Sequence, residues 1–349
     1  MDSLGKKLPF FGPVLVALVL LIIAPGLFSS ATSRGTGTLG QKTSLPAAFP
    51  VASARAPVTM NAGPVASLAF PLSHPATPLP RHGQPYGGAL TADAALVIDD
   101  QTNTILFAKN ATTTRPLASL TKLMSALVLL DQPLDWSATT TIQEADLDSS
   151  SHQFEAGDTL SIGSIWKIAL VASSNSAVTT LVRVSGLSTE KFVGAMNRKA
   201  AALRLPSLRF VEPTGLDPGN VGSAADVLKL LQTALAEEQI AKALRLGEYE
   251  AVPAGEGGKH HVWNTNWLLT GWIPSSFGQA SLVGKTGYIP EAGYNFAMRL
   301  NSTHNRALRV VVLGSASNET RFEEARDLVS WVLSTYLWPA QPGYTALAE

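Results

Sequence analysis

Strand-like and helix-like spacings of apolar residues divide the chain after residue 90 into recognisable blocks. Strand patterns lie at both ends: Ala94 to Ala108 first, then Ala280 to Lys285, Tyr294 to Leu300 and Leu308 to Gly314. Helical spacing fills the middle and the end, including Ala224 to Ala236 and Arg321 to Tyr336. This order predicts an α+β fold. An antiparallel β-sheet is flanked by helices, an all-helical lobe stands beside it, and a cleft runs between the two. The length, roughly 250 residues, suits one domain with two lobes.

The first residues follow a different pattern. Leu8 to Phe28 is almost wholly apolar and follows Lys6 and Lys7. It reads as a signal peptide or an uncleaved N-terminal membrane anchor. Ser29-Ser30-Ala31 offers a small-x-small cleavage site, while Pro9, Pro13 and Pro25 argue mildly against a clean spanning helix. The next stretch, to about Gly88, is rich in Ala, Pro, Ser and Thr without periodicity, the composition of a flexible tether. The expected organisation is an export or anchor segment at 1–31, a linker at 32–88, a folded domain at 89–338 and a short tail at 339–349. Export to the periplasm or cell envelope is expected, with the N-terminal segment available to hold the protein at the inner membrane.

Composition removes several classes. Lys plus Arg and Asp plus Glu both number 26, so the net charge is 26 − 26 = 0, and no basic stripe suggests nucleic acid. There is no cysteine, which excludes disulfides and thiol chemistry. The six histidines form no metal-spaced set, and adjacent His260 and His261 read as loop. No phosphate-binding glycine loop is present. Neither a metal nor an organic cofactor is expected.

Three short motifs carry the candidate chemistry. Ser119-Leu120-Thr121-Lys122 opens a predicted helix whose apolar positions Leu120, Leu123, Met124, Leu127 and Leu130 share one face, with Pro116 as an entry signal. Residues at i and i+3 share a helix face, so Lys122 can reach the Ser119 hydroxyl. A serine becomes a competent nucleophile when a neighbouring base takes its proton, and burial can lower a lysine's pKa enough for that task. Ser-x-x-Lys alone is weak: it also occurs at Ser3, Ser164 and Ser188. Ser173-Ser174-Asn175 lies 173 − 119 = 54 residues further on and is the only Ser-x-Asn. It offers a second hydroxyl and an amide, although such residues also cap helices routinely. Lys285-Thr286-Gly287, the only Lys-Thr-Gly, reads as part of an edge strand able to pair with an extended peptide.

In this order the motifs resemble those of the penicillin-recognising serine enzymes, in particular the low-molecular-mass D-alanyl-D-alanine peptidases of family S11. The likeness extends to the Ala94–Asp99 and Thr104–Asn110 hairpin, the Phe210–Asp217 loop, Ser223-Ala224-Ala225-Asp226, Asn264-Thr265-Asn266 and Ala292-Gly293-Tyr294. It covers about Leu90 to Tyr336. It implies a β-lactamase/transpeptidase-like fold and an acyl-enzyme on Ser119, formed from peptidoglycan stem peptides or from β-lactams. In that scheme Lys122 is the general base and Ser173 assists proton transfer. Asn175, Lys285, Thr286 and Gly287 bind substrate, and the backbone N–H groups of Ser119 and Tyr288 form the oxyanion hole.

The sequence also departs from the family. The middle motif has Ser174 where glycine is usual, and Tyr288-Ile289 follows Lys-Thr-Gly where many members have a threonine at the second place. The Glu-Pro-Thr-Gly-Leu loop and Asn264-Thr265-Asn266 resemble the endopeptidase branch, which cuts D-alanyl-diaminopimelyl cross-links. Carboxypeptidase relatives often carry a second β domain and a C-terminal amphipathic helix, and neither is expected in the residues after Tyr336. Two alternatives stay open here. One is a serine β-lactamase, for which Glu212 is the only tempting second base. The other is a non-catalytic peptidoglycan-binding protein that keeps the fold.

Overall fold

The computed structural model of the chain describes residues 76–81, 85–148, 153–254, 258–278, 281–302, 306–339 and 341–344. The apolar segment Leu8 to Phe28 and most of the linker lie outside them. Among the described residues no helix is long and apolar enough to cross a membrane.

Five strands form the central sheet: β1 (Ala94–Asp99), β2 (Ile105–Lys109), β3 (Leu282–Ile289), β4 (Gly293–Ser302) and β5 (Arg306–Ser315). Their order is β3-β4-β5-β1-β2, and each neighbouring pair is antiparallel. Six helices follow β2 in the chain: α1 (Lys122–Leu130), α2 (Ile162–Val171), α3 (Asn175–Val184), α4 (Thr189–Ala202), α5 (Ala224–Ala236) and α6 (Glu238–Leu244). A one-turn helix α7 (Trp267–Thr270) precedes β3, and α8 (Thr320–Thr335) follows β5.

The sheet separates two cores. Ala94, Leu96 and Ile98 of β1 pack with the helical lobe, together with Val283, Ala297 and Val311. Ala95 and Val97 face the other way, onto Phe322, Leu328, Val329 and Val332 of α8. The period-two alternation of a strand thus serves two apolar faces at once, which is why β1 carries no exposed position. This is the α+β architecture expected from the pattern. Two short ribbons add to it: Thr139–Thr141 with Thr159–Ser161, and Glu248–Ala251 with His260–Trp263.

Four local expectations are revised. Helix α1 does not present an apolar stripe on one face, because every residue from Lys122 to Leu129 is buried. It runs through the middle of the lobe against α3, α4 and α5, so it has no solvent face to keep polar. Pro116 does not open that helix. Arg115–Pro116 instead pairs with Val221–Gly222, a 3₁₀ turn follows at Ala118–Thr121, and α-helix begins at Lys122. His260 and His261 lie in a strand rather than a loop, because Val262 and Trp263 continue a ladder with Glu248–Ala251. Finally, ordered structure reaches N-terminal to Gly88. Leu79–Pro80 pairs with Tyr336–Leu337, and Tyr86 packs edge-on against Phe107 and Trp331.

Strand β3 sits at the edge of the sheet, as expected for a peptide-pairing strand, but extends four residues beyond Lys285. Lys285, Thr286 and Gly287 are therefore mid-strand, in register with Ala297, Phe296 and Asn295 of β4. The free side of β3 faces the turn that carries Ser119. A Cβ on Gly287 would lie 2.8 Å from the Leu117 carbonyl oxygen and 3.0 Å from Ser119 N. Only a glycine lets strand and turn approach this closely.

Candidate active site

The three motifs meet where the edge strand, the 3₁₀ turn and the α2–α3 junction converge. Ser119 stands half-buried on the turn, just ahead of Lys122. The turn is held from both sides. Asn295 of β4 donates through Nδ2 to the Pro116 and Leu117 carbonyls, both at 3.1 Å, and Leu117 N donates to Asn220 O at 2.8 Å. Ala118 then takes φ of +48°, a left-handed conformation that a non-glycine residue adopts only when its surroundings impose it.

Lys122 is 1 % exposed, and its ammonium group has three partners. Nζ lies 2.8 Å from Ser119 Oγ, 2.5 Å from Asn175 Oδ1 and 2.6 Å from the Thr214 carbonyl oxygen. Two of these, the Asn175 and Thr214 oxygens, can only accept. A neutral Lys122 has two N–H bonds to satisfy them, which leaves its lone pair for the one partner that can donate, the Ser119 hydroxyl. Burial lowers the Lys122 pKa to about 7, working against the nearby Glu212 and Asp148 carboxylates, which raise it. At pH 7 such a lysine holds about a thousandfold more neutral amine than an ordinary one.

Ser173 and Asn175 come from the junction between α2 and α3. Ser174 caps α3, accepting from Ala177 N at 3.2 Å, so the capping role weighed for this motif belongs to its middle residue. Ser173 has φ of +61°, a second strained position directly at the site. Its Oγ accepts from Lys285 Nζ at 2.6 Å. Lys285 is as buried as Lys122, and its pKa is pushed well below the usual lysine value by burial, with Lys122 and Arg321 adding to the effect. Thr286 Oγ1 lies 2.6 Å from Thr265 Oγ1, which ties the strand to the Asn264–Asn266 segment. Tyr288 is about half exposed at the rim and stacks on Tyr294, with ring centroids 4.3 Å apart.

Five participants lie outside the three catalytic motifs, and of these Asn295 and Arg321 had no sequence signal at all. The Thr214 carbonyl holds Lys122, and Glu212 holds Thr214 in place. The Glu212 carboxylate accepts from Thr214 N at 2.6 Å, Thr214 Oγ1 at 2.5 Å, Asn220 Nδ2 at 2.6 Å and Gly215 N. Its oxygens are thus committed to the loop, which leaves it badly placed to activate water as a β-lactamase base. Thr265 and Asn295 were noted above. The fifth is Arg321, buried behind β3, where it donates to the Gly287 and Asn295 carbonyls at 3.1 and 3.4 Å. It lies far along the chain on α8, and only the fold brings it near.

The family model described as D-alanyl-D-alanine carboxypeptidase, peptidase S11, matches residues 81–317. The chain belongs to this family. Among its S11 relatives, the D-alanyl-D-alanine endopeptidase of Pseudomonas aeruginosa is 32% identical over 261 residues, covering 73% of this chain and 82% of that protein. A D-alanyl-D-alanine carboxypeptidase of Bacillus subtilis is 28% identical over 70% of this chain and 63% of its own length. The crystal structure of the Streptomyces K15 DD-transpeptidase superposes with a TM-score of 0.64 at 25% identity, covering 71% of this chain and 98% of that one.

Proposed function

We propose that this S11 enzyme is a serine D,D-peptidase of the cell envelope that cuts D-alanyl cross-links between peptidoglycan stem peptides through an acyl-enzyme on Ser119. The observation that carries the reading is the three-partner arrangement at the buried Lys122 Nζ, which in the neutral form of the amine aims its lone pair at Ser119 Oγ.

In the first step Lys122 takes the hydroxyl proton as Ser119 Oγ attacks the carbonyl carbon of the D-alanyl bond. The oxyanion that forms is held by the backbone N–H groups of Ser119 and Tyr288, which Gly287 allows to approach each other. Asn175 orients the substrate amide as well as Lys122. The intermediate collapses by breaking its C–N bond, and the departing amine receives the proton through the Ser173 hydroxyl, which Lys285 holds. Lys285 and Thr286 bind the carboxylate next to that amine. Water then adds to the ester, Lys122 takes a proton from it, and Ser119 is released. A β-lactam follows the same first step, but its leaving group remains tethered to the acyl carbon.

Support for cross-link cleavage over removal of a terminal D-alanine comes from the endopeptidase relative. It is more similar than the carboxypeptidase and is matched over more of its length. Digestion of purified sacculi followed by muropeptide mass spectrometry separates the two. The endopeptidase reading expects cross-linked dimers to fall and monomers to rise. Loss of terminal D-alanine with dimers intact would instead assign a carboxypeptidase, and no change in either would remove the peptidase reading.

A further inference from the structure

Three of the chain's seven tryptophans fall between residues 263 and 272, and two of them are bare. Trp263 is 50 % and Trp272 55 % exposed, unusual for the largest apolar side chain. Their placement follows from local structure. In the strand His260–Trp263, side chains alternate faces, so Lys259, His261 and Trp263 point the same way, outward, while Val262 is buried. The chain then passes Thr265 and makes the one turn of α7, which Gly271 ends at φ of +80°. That left-handed residue turns the chain so that Trp272 comes back onto Trp263, with centroids 6.1 Å apart. Trp267 lies between them and the core, 5.5 Å from Trp272 and stacked on Phe322.

The result is an aromatic shelf along a cavity of about 580 Å³. It borders the Lys-Thr-Gly strand, because Thr265, one of the residues lining it, lies 2.6 Å through Oγ1 from Thr286 Oγ1. From Thr265 to Lys259 the strip extends about 20 Å. Its ionisable side chains already have carboxylate neighbours: Lys259 pairs with Glu250 at 2.7 Å, while His261 Nε2 lies 2.9 Å from Glu248 and His260 Nε2 3.5 Å from Asp158. A strip that read a second stem peptide would need charge left over for carboxylates and amines. This one offers flat indole faces rimmed by hydrogen-bonding groups, the surface that stacks against the C–H faces of sugar rings while binding their hydroxyl and acetamido groups.

We infer that Trp263 and Trp272, with the strip from Lys259, form a glycan-binding platform that holds the N-acetylated amino-sugar strand of the substrate beside the cleft. This rests on the peptidase reading, which supplies a substrate whose peptides hang from such a strand. The platform makes the enzyme prefer stem peptides that are still attached to glycan.

The test uses the full-length protein and its Trp263→Ala/Trp272→Ala variant. Chitotetraose, a peptide-free probe, is titrated by tryptophan fluorescence, and cleavage is compared on intact sacculi and on glycan-free cross-linked peptide. Penicillin acylation reports whether the variant is folded. The platform requires wild type to bind chitotetraose and the variant to lose that binding. It also requires the sacculus-to-free-peptide rate ratio to fall by about tenfold or more, as the loss of two stacking contacts implies. Absence of chitotetraose binding by wild type would overturn the proposal. So would equal losses on both substrates, which would mark the strip as a peptide site or a structural element. If the variant does not fold, inhibition of wild-type sacculus cleavage by chitotetraose decides the matter, and no inhibition counts against the platform. Failure of the peptidase reading looks different: no penicillin adduct and no peptide cleavage, whether or not chitotetraose binds.

Discussion

At the scale of single residues, function comes down to the protonation of Lys122. Its neutral form is the base, and with a pKa of about 7 the neutral fraction falls as pH drops below that value. Acylation by penicillin should therefore slow about tenfold per pH unit well below pH 7 and level off above it. Glu212 raises this pKa, so the neutral Glu212→Gln variant should carry the acid limb to lower pH while weakening the loop. Stopped-flow acylation rates measured from about pH 5 to about pH 9, roughly two units either side of that pKa, give the midpoint. An unmoved midpoint, or one shifted upward, would show that Glu212 does not act through Lys122. The structure brings together Ser119, Lys122, Ser173, Asn175, Lys285, Thr286 and Gly287, which the sequence offered as three short motifs whose order resembles the S11 peptidases. Glu212's role as the loop's central acceptor was not legible, since it depends on backbone N–H groups that only the folded loop brings together.

At the scale of elements, the site depends on three pieces of backbone packed with no room to spare. Gly215 has φ of +95°, and a Cβ there would lie 2.1 Å from the Ala118 carbonyl oxygen and 2.8 Å from Ser119 N. Gly215→Ala must therefore move the Glu-Pro-Thr-Gly loop or the serine turn. The left-handed conformation alone costs a side-chain-bearing residue about 1–2 kcal/mol. A displaced nucleophile is expected to slow acylation by about a hundredfold. Thermal unfolding together with acylation kinetics checks both, and a variant with wild-type rates would show that the loop does not position Ser119. Strands and long helices could be read from periodicity, and α5 was expected at the bounds it has. The entry to α1 could not: Pro116 looks like a helix-entry residue, but a ladder with Val221 takes it. The ribbon at His260 was missed because two adjacent histidines carry no β pattern until Glu248–Ala251 lies beside them.

At the scale of the whole molecule, one sheet divides two cores, and its edge strand closes the cleft against the helical lobe. Lys122 comes from the lobe, Lys285 from the sheet and Ser173 from the helix junction, so the site exists only when the lobe and the sheet are packed together. This architecture was legible because sheet and helical patterns are segregated along the chain. The glycan platform was not, because its exposed rings are brought together by a left-handed turn at Gly271 that no periodicity encodes. The central claim, that Ser119 forms the acyl-enzyme, has a direct test. The full-length protein and its Ser119→Ala variant are incubated with benzylpenicillin and followed by intact mass. A stable adduct of one penicillin is expected on the wild type and none on the variant. An adduct on both proteins, or none on the wild type while the penicillin stays intact, would contradict it.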